Sequence, residues 1–358
     1  MLEKFNYKSR LLTMILMAKS LSEKGVVEVR LSPEENALII SDLHLGQHSK
    51  RAYSEVSEML RLLNYAENSL EEDFRNIKHI VLNGDIIDFW RANLRNLIVD
   101  GYKFLERILK MKAEKLYVSG NHDYFTLNMK IKGENPLYLV PHFVILRIKE
   151  NNYEKKVIVI HGHQFDPTFS WSKGLWKIFT YTYSLTESLF SLPSSVEWWL
   201  SFLSAVTGVV LLYSIAEGII FGSINRLFAF YGSLILLMPL ILLTLRKIQE
   251  MIWYVAVPSI SIITSKLRRK RGLVNNKYFT KWLREVESKL GKVDCIIFGH
   301  THEPFMTKLG ETLVVNCGSW LTEKKRPASK TFVLISGNGK VKLFKWQDAP
   351  ILIREEPI

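Results

Sequence analysis

The 358-residue sequence predicts a layered α/β domain divided by a helical hairpin long enough to cross a membrane. Three observations predict it. Short β-branched runs alternate with helical patterns over 26–165, the alternation resumes over 276–358, and two long runs without charge lie between them. Strands are expected at 26–31, 37–41, 79–83, 115–119, 143–148 and 156–160, with helices at 53–76 and 100–111. Further strands are expected at 294–298, 312–316, 331–335 and 340–345. Ahead of this body, Lys4, Lys8 and Arg10 precede a short apolar run at 11–18. Lys19, Glu23 and Lys24 follow where a cleavage site would need small residues. The first 25 residues therefore read as an amphipathic helix, at 3–22, rather than a signal peptide.

Composition narrows the class. Hydrophobic residues are 47% and charged residues 23%, which excludes a disordered chain. There are 48 Lys and Arg against 35 Asp and Glu, a net charge of +13, which calls for an anionic partner: nucleic acid, phosphorylated substrate or anionic membrane. Cys295 and Cys317 are the only cysteines and make no disulfide framework, so a reducing compartment is expected.

The insert, 166–275, explains where the charge belongs. Residues 200–216 carry no charge, Glu217 interrupts, 218–225 are again uncharged, and 227–245 follow after Arg226. Spans of about 20 apolar residues suit a bilayer core, so helices are expected at about 200–222 and 227–245. Trp198 and Trp199 fall where an interfacial aromatic belt would lie. Eight cations (Arg246, Lys247, Lys266, Arg268, Arg269, Lys270, Arg271 and Lys277) against Glu250 alone follow the hairpin. The positive-inside rule then puts the α/β body on the cytoplasmic side of the cytoplasmic membrane, and nucleic acid loses its claim on the basic charge. Residues 171–192 and 251–265 read as interfacial segments. Glu217 is expected near the far headgroups or paired with Arg226 rather than in a functional site. Gly208, Gly218 and Gly222 would let the hairpin associate with a second copy.

The chemistry lies in five short segments, each placed after an expected strand: Ser41-Asp-Leu-His-Leu-Gly46, Gly84-Asp-Ile-Ile-Asp88, Gly120-Asn-His-Asp123, His161-Gly-His-Gln164 and Gly299-His-Thr-His302. On extended backbone, residues i and i+2 point to one side, so both donors of a D-x-H or H-x-H can reach one ion. All donors are nitrogen or oxygen, suited to Mn, Fe or Zn. Strand C-termini in a layered α/β fold gather at one edge, where sites form.

These segments resemble the calcineurin-like metallophosphoesterase superfamily over about 26–165 and 276–345. The resemblance implies a four-layer α-β-β-α sandwich with the two halves at 26–165 and 276–358. It implies two divalent ions, most simply Mn: Asp42, His44 and His302 on one, Asn121, His161 and His300 on the other, and Asp85 between them. His122 would contact the phosphoryl group and protonate the leaving oxygen, with Asp123 orienting it. The implied reaction is in-line attack by a metal-bridging hydroxide. Asp88 and Thr301 are candidates for holding ligands in place. His163, His48 and Trp320 are candidate substrate contacts, the last within the Asn316-Cys-Gly-Ser-Trp320 turn. His79 and His142 read as ordinary structural histidines.

The Asp42-Leu-His-Leu-Gly46 and Asp85-to-Trp90 stretches and the long insert are similar to the UDP-2,3-diacylglucosamine pyrophosphatases. Two departures stand against that subgroup. His122 occupies the position of their arginine, and this insert is long and apolar enough to span a membrane where theirs is a peripheral lid. The expected function is therefore a membrane-embedded phosphoesterase or pyrophosphatase acting on a phosphorylated lipid or nucleotide-linked lipid. The alternative is a tethered phosphatase or phosphodiesterase of soluble nucleotides; a nuclease or a non-catalytic scaffold is disfavoured by the intact donor set.

Overall fold

The computed structural model describes residues 25–49, 52–89, 92, 94–124, 129–132, 134–150, 153–165, 194–251, 277–324 and 326–358. The expected N-terminal helix, the 171–192 segment, the 266–271 basic run and all but the first residue of 251–265 lie outside these. The chain divides into two units, Met1–Ser172 with Arg271–Ile358, and Lys173–Lys270.

In chain order the first unit contains β1 (Val26–Leu31), β2 (Asn36–Ile40), β3 (Ala52–Ser54), α1 (Val56–Asn68), β4 (Ile77–Asn83), α2 (Leu94–Lys110), β5 (Glu114–Val118), β6 (Met129–Ile131), β7 (Leu137–Val140), β8 (Phe143–Glu150) and β9 (Tyr153–Ile160). The second unit holds α3 (Ser194–Ala216) and α4 (Ser223–Met251). The first unit then resumes with α5 (Lys277–Leu290), β10 (Cys295–Phe298), β11 (Phe305–Leu309), β12 (Thr312–Asn316), β13 (Leu321–Glu323), β14 (Thr331–Ser336), β15 (Lys340–Gln347) and β16 (Ala349–Pro357). Each strand expected from sequence is present within a few residues. The short edge strands β3, β6, β11 and β13, together with β7 and β16, were not expected. Several are only three to five residues long, too brief for a period-two signal.

Two mixed sheets face each other. One runs β1-β8-β9-β10-β12-β11, the other β16-β15-β14-β2-β4-β5-β7-β6. Alternation along each strand separates the layers. On β4, Val81 points inward with Ile39, Val144, Val159 and Ile297, forming the core between the sheets. Its neighbours Ile80 and Leu82 point outward to Met59 and Leu62 of α1 and Phe104 and Ile108 of α2. On β9, Ile158 and Ile160 point the other way, to Phe279, Trp282 and Val286 of α5. The arrangement is a helix-sheet-sheet-helix sandwich.

This topology positions the site. Strands β2, β4 and β5 are parallel in one sheet, and β9, β10 and β12 in the other. All six deliver a loop to the same edge, and those loops contain the five segments and the Asn316 turn.

Trp320 is not a substrate contact. It is fully buried, donates its indole N–H to the Thr331 carbonyl at 3.1 Å, and belongs to the core beneath α1 with Phe332 and Trp346. An indole after a glycine turn can serve a pocket or a core; here the returning β14 closes over it.

The second unit has two helical stretches long and apolar enough to cross a membrane, Trp198–Ala216 and Ser223–Leu245, so the first ends earlier than the 222 expected. Residues 217–222 form the turn, with Gly218 and Gly222 at φ 70° and 87°, and Glu217 is exposed there. Arg226 donates to the Ile220 carbonyl at 2.9 Å. Gly208 packs on α4: a Cβ there would lie 2.9 Å from the Ser233 carbonyl oxygen. Ser204 donates to the Leu236 carbonyl at 2.8 Å. Small residues thus close this hairpin on itself. The larger side chains point outward, with Val209, Val210, Phe228 and Ile235 all more than half exposed.

Trp320→Ala should lower the unfolding free energy by about 3–5 kcal/mol, read by chemical denaturation in detergent. A loss below about 1 kcal/mol would contradict its place in the core.

Candidate metal centre

Backbone conformation singles out the site before any side chain is considered. Asp42, His44, Asp85, His300 and His302 all have φ between 51° and 63°. Non-glycine residues rarely adopt this left-handed region, and clusters of them occur where function holds the backbone in place. Two glycines permit the close approaches. A Cβ on Gly120 would lie 2.2 Å from Asp85 Oδ1, and one on Gly299 would lie 2.1 Å from Asp42 Oδ2.

The donor atoms form three overlapping groups: Asp42, His44 and His302; His44, Asp85 and His122; and Asp85, His161 and His300, with the donors of each within 4.8 Å of one another. His302 Nε2 is 3.2 Å from Asp42 Oδ1 and 3.3 Å from His44 Nε2. His161 Nε2 is 3.2 Å from both Asp85 Oδ2 and Asn121 Oδ1. Asp85 Oδ2 is also 3.9 Å from His44 Nε2 and 4.0 Å from His122 Nε2, so it lies among all the groups. The structure therefore brings together Asp42, His44, Asp85, Asn121, His122, His161, His300 and His302.

The hydrogen bonds outside this cluster test whether it suits a cation. His44 Nδ1 lies 3.1 Å from Asp88 Oδ2, and His161 Nδ1 lies 3.0 Å from the Asn83 carbonyl. A carboxylate or carbonyl accepts, so each Nδ1 carries the proton and each Nε2 presents a lone pair inward. Lone pairs of His44 and His161 then converge with the oxygens of Asp42, Asp85 and Asn121. Such a set of acceptors, wholly N and O, fits divalent metal ions. The electrostatics agree. Burial opposes charge on His161, but Asp85 and Asp42 outweigh it and raise its pKa to about 10, so the field that draws a proton to Nε2 is the field that would draw a cation there in its place. Burial likewise disfavours the Asp85 carboxylate, yet His161 and His122 hold it well below its ordinary value. The thiols are no part of this: burial raises both Cys295 and Cys317.

The orienting contact assigned to Asp123 is made instead by Asp88. His122 Nδ1 lies 2.7 Å from Asp88 Oδ1. Asp88 is fully buried and also accepts from His44 and, at 3.1 Å, from the Gln47 side chain. Asp123 ties loops together, accepting from the Gly120 and Ile86 N–H groups at 2.6 and 2.7 Å and from the Tyr117 hydroxyl at 2.7 Å. Burial and the nearby Asp85 carboxylate raise its pKa to about 6. Adjacency in sequence misled here: in the turn after β5 the Asp123 side chain points back over Gly120, away from the neighbouring ring.

The other candidates fall at the margin. His48 Nε2 is 2.6 Å from Asp100 Oδ2, and its side chain is 47% exposed. His163 stands beside His161 and His300, with ring centroids 5.5 and 6.3 Å away. Asn316 donates to the Gly299 carbonyl at 2.7 Å and to Thr301 at 3.0 Å, while Ser319 and the Trp320 N–H both bond the Asp42 carbonyl. That turn thus supports the backbone of the first and last segments. Sequence reading missed Gln47, Asp100 and Tyr117. Only Gln47, next to the first segment, carried any local signal.

Two family models match in chain order: calcineurin-like phosphoesterase over residues 36–213, and calcineurin-like phosphoesterase superfamily domain over 265–339. The chain belongs to the calcineurin-like metallophosphoesterase superfamily. It is accordingly a metal-dependent phosphoester hydrolase. Similar solved structures include the phosphoesterase Yfce from E. coli (14% identity, 90% of this chain and 99% of that one, TM-score 0.36). A Vps29 complexed with Zn from Entamoeba histolytica shows 14% identity over 90% of this chain and 98% of that one, TM-score 0.36. These likenesses are too distant to bear on substrate or partner. No curated protein matches the chain significantly.

Asp85→Ala should abolish both turnover and bound metal, the latter read by elemental analysis of the purified protein. Asp88→Ala should weaken metal binding by about 10–100-fold, because His44 loses its outer acceptor, and at saturating metal should still lower kcat by about 10²–10⁴-fold, because His122 loses its orienting carboxylate. Unchanged kcat would contradict the Asp88–His122 pairing.

Proposed function

We propose that the protein is a membrane-anchored phosphoesterase or pyrophosphatase that hydrolyses an amphipathic phosphorylated lipid or nucleotide-linked lipid at the cytoplasmic face. One observation carries this reading: the segment between the His161 and His300 metal-donor loops contains two helices of membrane-spanning length, with only 17% of each apolar window buried. Core helices of a soluble protein would bury that surface. Exposed apolar helices suit hydrocarbon, where an amphipathic substrate would also keep its tails. Cations following the hairpin support the cytoplasmic orientation.

Within the site, Asp42, His44 and His302 would hold one ion, Asn121, His161 and His300 a second, and Asp85 would reach both. The ions, most simply Mn, would acidify a water and neutralise charge growing on the phosphoryl oxygens. His122 does the proton work. Its Nδ1–H is held by Asp88, so in the imidazolium form Nε2–H is the proton available to the leaving oxygen. The buried Asp88 carboxylate fixes the tautomer and the ring plane. Asn83 and Asp88 keep His161 and His44 in the tautomers that present Nε2 to a cation. A histidine able to give a proton suits ester leaving groups poorer than a nucleotide phosphate.

The test compares the Mn-loaded, detergent-solubilised protein on mixed micelles of a phosphorylated lipid, on a nucleotide-linked lipid and on soluble nucleotides. The lipid substrates should show kcat/KM at least about tenfold higher, a difference of about 1.4 kcal/mol in transition-state binding. Equal turnover of soluble nucleotides, retained after deletion of residues 198–246, would establish a tethered phosphatase of soluble substrates instead.

A further inference from the structure

The three helices packed on the sheets of the catalytic unit differ in what they show to solvent. On α1 the exposed positions are Ser57, Arg61, Asn64, Glu67 and Asn68. On α5 they are Lys281, Arg284, Ser288 and Lys289. Both follow the ordinary pattern of an amphipathic helix with a polar outer face. Helix α2 does not. Its inner face is conventional, with Phe104 and Ile108 fully buried. Its outer face over the first two and a half turns is Arg95, Ile98, Val99, Tyr102 and Lys103. Ile98 and Tyr102 are exposed by 61% and 67%. Positions 95, 98, 99, 102 and 103 share one side of a helix at 100° per residue, so this is a continuous stripe. Phe89, exposed on the loop before the helix, adds an aromatic side chain directly after Asp88.

Charge identifies the occupant. Arg95 and Lys103 bracket the apolar residues, and neither has a carboxylate partner among the described residues. Farther along, the same face changes character: Glu106 pairs with Lys110 at 2.7 Å. The unpaired cations are thus confined to the apolar half of the stripe. The only acid on that half is Asp100, which is buried on the inner side and accepts from the Gly46 N–H at 3.1 Å and from His48. That contact also fixes the location. Gly46 is two residues past His44, so the half of α2 that carries the stripe on its outer face packs its inner face against the loop that presents the first metal donors.

We propose that the outer stripe of α2, Arg95-Ile98-Val99-Tyr102-Lys103, is an interfacial face by which the catalytic unit rests on an anionic bilayer. Ile98, Val99 and the Tyr102 ring enter the headgroup–acyl boundary, and Arg95 and Lys103 reach lipid phosphates on either side. This rests on the membrane reading above and deepens it. The hairpin tethers the chain, whereas α2 sets the catalytic unit down beside its lipid substrate.

The experiment uses the full-length chain in nanodiscs containing nitroxide-labelled lipid, with an environment-sensitive fluorophore on one introduced cysteine at a time: Ile98→Cys, Val209→Cys or Asn338→Cys. Native Cys295 and Cys317 are buried and do not compete for label. Asn338 lies in the β14–β15 turn, at the edge opposite the metal loops, and should remain unquenched. The 209 label should be quenched in phosphatidylglycerol and phosphatidylcholine alike. The 98 label should be quenched at least threefold more in phosphatidylglycerol, with the difference abolished by Arg95→Glu with Lys103→Glu. If 209 is quenched and 98 behaves like 338, or responds equally to both lipids, the α2 proposal fails while the hairpin reading stands. If 209 is unquenched, both fail. Cross-linking of 98 to a second copy without lipid quenching would make the stripe a protein interface and overturn the proposal.

Discussion

Asp42 and Asp85 are two carboxylates buried almost completely, and the site is built around keeping them so. Burial alone would drive each toward its neutral form. Five imidazoles and a carboxamide gather round them, and the two carboxylates raise the His161 pKa to about 10 against the effect of burial. The low dielectric that makes unpaired charge so costly here is what makes a multivalent cation bind firmly. The same demand accounts for the backbone. Five donors in left-handed conformation are tolerable only because the surrounding loops, tied by Asp123, Asn316 and Ser319, leave the chain no alternative.

Asp88 links the two tasks of this site. One oxygen orients His122, and the other takes His44 and Gln47. A single buried carboxylate thereby sets both a metal donor and the group that delivers a proton. Division of labour between neighbouring acids follows: Asp85 faces the cluster, Asp88 stands behind it, and Asp123 ties the loops. Three aspartates within two short segments thus have three roles, decided by where the turns point them.

The hairpin obeys different physics. Its inner contact is made by Ser204, Gly208 and Ser233, and its outer surface by large apolar side chains. A water-soluble helix pair would put charge on that outer surface. The hairpin is inserted between β9 and α5 and interrupts neither of the sheets that deliver the site loops. Among the three helices packed on the sheets, α1 and α5 turn polar faces to solvent, which makes α2 the exception.

The sequence by itself determined the layered α/β class, ten of the strands, the donor residues and the two membrane-length helices. These depend on short-range pattern: alternation along a strand, D-x-H and H-x-H spacing, and runs without charge. Only the tertiary structure decided that Trp320 lies in the core, that Asp88 rather than Asp123 orients His122, and that Gly208 closes the hairpin on itself. Gln47, Asp100 and the short edge strands were likewise beyond reach. Each is defined by a partner distant in sequence or by the direction of a single turn, and residue type and spacing carry no record of either.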